Sequence, residues 1–289
     1  MNKNIILIFL CFFININDLL AQEAETSWVE NEFVRTRLIS SQSGVLKGEG
    51  ASFYIAWEIE LKKGGWKTYW RSPGDAGKPT IFNWEGSVNL GNVDVYFPMP
   101  ERFEIFDIQT FGYEESLILP IRVEPLIPGA PMTLLVNADF MACKEICVPF
   151  NANYELEIPL IEYNSGQIQT KYAEPIFFQI SKIPGEVGGL ISGAIKIKDF
   201  RLEGPSGHQR LIISVTSDKI LSGADIIIEA DAHFRFDVPQ KALIGKGHEV
   251  QFVIPIGSTQ KVANLKGRKL TLTIMDGWGG AVETNILLE

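Results

Sequence analysis

The sequence predicts an all-β protein of two antiparallel β-sandwich domains joined by a short linker. Three observations carry that expectation. Short runs rich in β-branched and aromatic residues recur along the chain, punctuated by Pro- and Gly-containing turns. A chain of 289 residues is long for one small sandwich and comfortable for two. After Ile161 the composition turns polar and then Gly-rich, between two halves that both read as β.

The first residues, MNKNIILIFLCFFININDLLA, read as an export signal. Lys3 supplies a short positive start. The apolar run from Ile5 to Ile14 suits a signal-peptide core and is too short to span a bilayer comfortably. Cleavage after Ala21 makes residues 1–21 the signal peptide and places the mature protein in the periplasm, with no stable membrane insertion afterwards. The cut removes Cys11, leaving Cys143 and Cys147 as the mature cysteines, in a compartment where disulfides persist. It also removes Lys3 and Asp18 together, so the formal net charge of −9 is unchanged. An acidic chain without a basic run argues against nucleic acid as a partner.

Residues 22–162 form the expected first sandwich. Its strand signals are FYIAWEIEL (53–61), LILPIRVEP (117–125), MTLLVNADFMAC (132–143) and NYELEIPL (153–160). Residues 163–188 read as the linker. A short helix across 169–181 is in tension with Pro175 inside it. Residues 189–289 give the second sandwich, from QRLIISVTS (209–217) to AVETNILL (281–288). MDGWGGAVE forms the hairpin turn between its last two strands.

The chemistry concentrates in FMACKEICVPF, residues 140–150. In the strand before it, Leu134, Val136, Ala138, Phe140 and Ala142 alternate onto one face, which reads as the core face, so Cys143 points the other way. Lys144, Glu145 and Ile146 make a tight connection, and cysteines flanking such a loop can meet at disulfide distance. Three uses stay open on residues alone: a structural staple, a metal site for zinc or copper, and a reversible redox pair. A structural bond here closes a very short loop, worth about 2 kcal/mol against about 4.7 kcal/mol for a 100-residue loop. Zinc needs two further ligands, and His208, His233 and His248 all fall in the other domain. Two thiolates, with Met141 as a third soft ligand, suit Cu(I). A reversible disulfide needs only two close thiols, partial access and a neighbour that tunes the thiolate. Trp66, Tyr69, Trp70 and Trp84 read mainly as core aromatics, and Arg71 with Asp75 as an ion pair holding the loop SPGDAGKP.

Two stretches together, GGWKTYWRSPGDAGKPTIFNW (64–84) and CKEICVP (143–149), resemble the periplasmic amino-terminal region of the DsbD-like protein-disulfide reductases. The likeness is closest to the branch called suppressor of copper sensitivity B (ScsB). It implies immunoglobulin-like sandwiches and a catalytic pair, Cys143 and Cys147, working by protein-disulfide reductase-like thiol–disulfide exchange. It also implies an aromatic cap over the pair. In IQTFGYEE the matching residues are Phe111 first and Tyr113 next. The implied partners are a membrane-embedded thiol carrier of the DsbD or CcdA type and periplasmic thioredoxin-like proteins. No cofactor and no metal is expected. Relatives continue into a multispan membrane domain and a thioredoxin-like domain, so the expectation is either that those modules are separate polypeptides or that this is a free-standing domain with a narrower role. The Cys-x3-Cys spacing departs from the longer spacing of DsbD itself. The competing expectation is a non-enzymatic copper-handling or partner-binding module.

Overall fold

The computed structural model of the protein describes residues 24–46, 52–62, 64–105, 108–161, 168–186, 195–205, 207–231, 234–258 and 265–288. The expected signal peptide and His233 lie outside the described residues. The fold is two antiparallel β-sandwiches, as the strand patterning predicts.

The first sandwich contains β1 (Val29–Glu30), β2 (Val34–Ser40), β3 (Val45–Leu46), β4 (Phe53–Leu61), β5 (Lys67–Gly74), β6 (Ile81–Asn83), β7 (Leu90–Val95), β8 (Glu101–Ile105), β9 (Ile108–Glu114), β10 (Ser116–Pro125), β11 (Met132–Cys143), β12 (Cys147–Ile158) and β13 (Leu160–Ile161). One sheet has the order β1-β2-β4-β10-β7; the other, which carries the cysteines, has the order β12-β11-β5-β9-β8. Period-2 alternation sends Phe53, Ile55, Trp57 and Ile59 from β4, and Leu134, Val136, Ala138 and Phe140 from β11, into one shared core. Inside that core the Trp57 indole N–H donates to the Tyr154 hydroxyl at 2.9 Å, which donates to Thr36 Oγ1 at 2.6 Å. Every member of this buried relay is satisfied, as a low-dielectric core requires.

A helix, α1 (Ala173–Ile180), closes the outer face of the first sheet. Its Ile176 and the preceding Tyr172 pack on Ile39 and Ala56, which face away from the sandwich core. Pro175 does not break the helix. It sits in the first turn, where the missing N–H has no intrahelical acceptor to lose. The approach to the helix is tied down as well, since Ser43 N–H donates to Ile168 O at 2.8 Å and Thr170 N–H to Ser41 O at 3.0 Å.

The second sandwich contains β14 (Gly185–Glu186), β15 (Lys196–Glu203), β16 (Arg210–Thr216), β17 (Asp225–Glu229), β18 (Phe234–Phe236), β19 (Gln240–Ile244), β20 (Glu249–Ser258), β21 (Lys269–Met275) and β22 (Ala281–Leu287). Its sheets are β14-β22-β21-β17 and β15-β16-β20-β18, with β19 also on β20. Leu211, Ile213, Phe252, Leu272 and Ile274 are among the residues that fill its core.

The two sandwiches share a charged seam. Arg102 of β8 holds Asp225 in a two-point bond, at 2.8 and 2.9 Å, and donates to Ile226 O at 2.7 Å. Arg71 of β5 forks onto Glu229, at 2.6 and 3.2 Å, and also bonds Glu283. Planar guanidinium forks of this kind fix orientation as well as contact. Ile227 and Met275 of the second sandwich join the first core at the same seam. The expected Arg71–Asp75 pair is therefore replaced. Arg71 finds carboxylates 158 and 212 residues away, and Asp75 instead meets Arg235 at 3.1 Å.

The buried relay yields a stability prediction. Tyr154→Phe leaves the Trp57 N–H without its acceptor and Thr36 without its donor, at a cost of about 1–3 kcal/mol. A urea titration should show the midpoint falling at unchanged slope; an unchanged midpoint would contradict the relay.

Candidate functional site

The site begins with strand register. β11 and β12 pair residue by residue from Met132↔Ile158 to Cys143↔Cys147, so the cysteines face each other as the last pair before the turn. Their Cα atoms are 4.1 Å apart and their sulfurs are joined. That separation suits a closely spaced, non-hydrogen-bonded cross-strand pair. Within the turn, the Lys144 N–H donates to Ile146 O at 3.0 Å. The Lys144 ammonium reaches back to Gly64 O at 3.1 Å, tying the hairpin to the residues before β5.

The pair is asymmetric. Cys143 is 2% exposed, whereas Cys147 is an exposed residue and Ile146 beside it is 65% exposed. As the alternation predicts, Cys143 lies outside the hydrophobic core formed by Leu134 to Ala142. It is nonetheless buried, because β5 runs alongside. Lys67 pairs with Cys143 in register, and Thr68 Oγ1 donates to Met141 O at 3.1 Å.

β5 presents two faces. Trp66 and Trp70 belong to the core, while Tyr69, buried at 4% exposure, does not. On that other face the Tyr69 hydroxyl lies 3.7 Å from Cys147 Sγ. A disulfide sulfur carries no proton, so the hydroxyl is the donor. Burial raises the Tyr69 pKa above the ordinary phenol value, which keeps that proton in place. Lys67 is held below its ordinary value, chiefly by burial, against the opposing charge of Glu114 across the ladder. Its ammonium stands 4.1 Å from the Phe103 ring centroid.

The expected cap residues sit elsewhere. Phe111 and Tyr113 belong to the core between the sheets, not to the face that carries Tyr69. Phe111 meets Trp70 edge-on at 6.4 Å, with Arg102 over its ring at 4.9 Å. The Tyr113 hydroxyl donates to Pro98 O at 2.7 Å, and burial holds its pKa well above the ordinary value. Strand alternation explains both: odd positions of β9 face inward, and Gly112 between them lies so close to β5 that a Cβ there would stand 2.0 Å from Thr68 O. Tyr69 was the residue sequence reasoning grouped with the core aromatics. The signal that separates it is its odd position between Trp66 and Trp70, read at period 2.

Among the described residues no group of three or more His, Cys, Asp or Glu side chains is placed to hold a metal ion. No helix among them is long and apolar enough to cross a membrane.

A β-sandwich whose last hairpin pair before a tight turn is a cystine defines a class. Residues 36–159 match the family described as "Thiol:disulfide interchange protein DsbD, N-terminal", so the first sandwich is a DsbD-like amino-terminal domain from a thiol–disulfide exchange family. Residues 182–288 match "Domain of unknown function (DUF8393)". The two-domain arrangement as a whole is shared with the N-terminal periplasmic domain of ScsB from Proteus mirabilis. That match has a TM-score of 0.70 at 20% identity, over 92% of this chain and 98% of that one. At that identity the likeness is one of fold. A marsupial T cell receptor (TM-score 0.21, 7% identity, 90% of this chain and 99% of that one) and a Pleurotus ostreatus lectin in complex with GalNAc (0.28, 10%, 93% and 82%) align too poorly to carry any argument. No curated protein matches this sequence.

The asymmetry predicts the order of reactivity. After reduction, Cys147 should be alkylated well before Cys143. Partial labelling with iodoacetamide followed by peptide mass spectrometry reads this directly. Equal labelling of the two thiols, or Cys143 first, would contradict the burial difference.

Proposed function

We propose that this protein is a periplasmic thiol–disulfide exchange protein. It would pass reducing equivalents through Cys143 and Cys147 between a membrane-embedded thiol carrier and periplasmic partners. The observation that carries the reading is the cystine at the mouth of a tight hairpin, one sulfur buried and the other at the surface. A staple gains little from so short a loop, whereas exchange needs this one-sided access.

The mechanism follows from the asymmetry. A donor thiolate attacks Cys147 Sγ, the sulfur–sulfur bond breaks, and Cys143 departs as a thiolate with the electron pair. A second donor thiolate attacks the mixed disulfide and releases Cys147, so the donor leaves as a disulfide and two electrons have entered the pair. Delivery runs in reverse: the Cys147 thiolate attacks a partner disulfide, and Cys143 resolves the mixed disulfide. Ile146, at the tip of the turn, supplies apolar surface for a docking thioredoxin-like partner. Phe111 and Tyr113 contribute from behind, as packing that holds β9 against β5, not as a lid over the sulfurs. The shielding at the sulfur itself comes from Tyr69.

The experiment is a redox titration of the purified chain in glutathione and dithiothreitol buffers, with thiol trapping. A working pair should equilibrate at a potential above about −300 mV, and a pair still oxidised well below that value would be structural and sink the proposal.

A further inference from the structure

The Tyr69 hydroxyl beside Cys147 can do more than shield a sulfur, and the loop packed on its ring is in contact with the second sandwich. Resting on that reading, we propose that Tyr69 is a positioning residue that hydrogen-bonds the Cys147 thiolate of the reduced protein. We further propose that the second domain keeps it there through a clamp running Arg235–Asp75–Gly77–Tyr69.

The geometry supplies each link. The hydroxyl stands 3.7 Å from Cys147 Sγ in the oxidised protein, within reach of a sulfur acceptor. Breaking the disulfide turns that weak acceptor into a thiolate, and bonds to charged acceptors are the strong ones. The ring is fixed from its far side by the loop after β5. Gly77 has a φ of +101°, and a Cβ there would stand 2.3 Å from a Tyr69 ring carbon, so the loop backbone lies directly on the ring. The loop is pinned in turn by Asp75. Its N–H donates to Gln109 O at 2.9 Å, and its carboxylate accepts the Gln109 N–H at 2.9 Å. The same carboxylate meets Arg235 of the second domain at 3.1 Å. Lys78 closes the other end of the loop on Asp139 of β11.

The charged residues that neighbour the pair in register or in sequence are Lys67 and, across from it, Glu114, Lys144 and Glu145 in the turn, and the Lys78–Asp139 pair. None of them is altered by removing the Tyr69 hydroxyl. Tyr69 takes no electrons and loses no proton; it steadies the thiolate that leaves when a donor thiol resolves the mixed disulfide, and the same thiolate when it attacks a partner.

The test uses the full chain, reduced with a phosphine so that the thiols form whatever their redox potential. The pH dependence of Cys147 alkylation is then followed. Below the ordinary thiol pKa of about 8.5, Tyr69→Phe should slow alkylation by roughly tenfold and move the midpoint of the profile upward. Arg235→Ala, which removes the partner of Asp75 and leaves the Tyr69 hydroxyl in place, should produce part of that loss, and the double variant should be no slower than Tyr69→Phe alone. A Tyr69→Phe rate within about twofold of the parent would overturn the thiolate bond. An Arg235→Ala rate equal to the parent, or losses that multiply in the double variant, would overturn the clamp. A pair that resists reduction in glutathione buffers but still shows the Tyr69 effect would refute the exchange reading and leave this inference standing.

Discussion

The pairing of β11 with β12 is the constraint on which the rest depends. One unbroken antiparallel register, from Met132↔Ile158 to Cys143↔Cys147, does two things at once. It sends Leu134, Val136, Ala138 and Phe140 into the core, and it delivers two thiols to the same point at the open end of the ladder. A slip of one residue would turn the apolar set outward and separate the sulfurs. Core packing and redox geometry are thus one specification, and the apolar face protects the cysteine register more strongly than a short-loop disulfide could by itself.

β5 is the second organising element, because its two faces serve two purposes. Trp66 and Trp70 anchor it in the core, while Tyr69 stands on the opposite face beside Cys147. Farther along, Arg71 leaves the strand for Glu229 and Glu283 of the second sandwich. The ladder with β9 shifts register between Tyr69 and Gly74, which frees this stretch to change direction between site and seam. One strand therefore runs from the seam with the second sandwich to the side chain beside Cys147. The domain matched only to a family of unknown function is thereby joined to the strand that carries Tyr69.

The legible parts of the sequence were those written in local periodicity. The β class, the core face of β11 and the facing cysteines all follow from alternation and turn chemistry over a dozen residues. The hairpin between β21 and β22 was legible for the same reason. What stayed hidden depends on contacts distant in the chain. Arg71 looked paired with Asp75 because they are neighbours in sequence, yet each found its counter-ion in the second sandwich. Phe111 and Tyr113 were reached through family likeness, and alternation along β9 puts both in the core. Tyr69 was legible in principle, since it falls out of phase with Trp66 and Trp70. Its importance, however, rests on Gly77 and Cys147, which only the folded loop brings to it. The helix around Pro175 was obscured by a general objection to proline that does not hold in a first turn.

The central claim is that Cys143 and Cys147 form a working pair, and a working pair cycles. The most direct measurement is its oxidation state in living cells, fixed by rapid acid quenching and read by differential thiol labelling of the native chain. The account predicts that reduced protein is present at steady state and disappears when the supply of reducing equivalents across the membrane is blocked. A pool that is fully oxidised under every growth condition would contradict it.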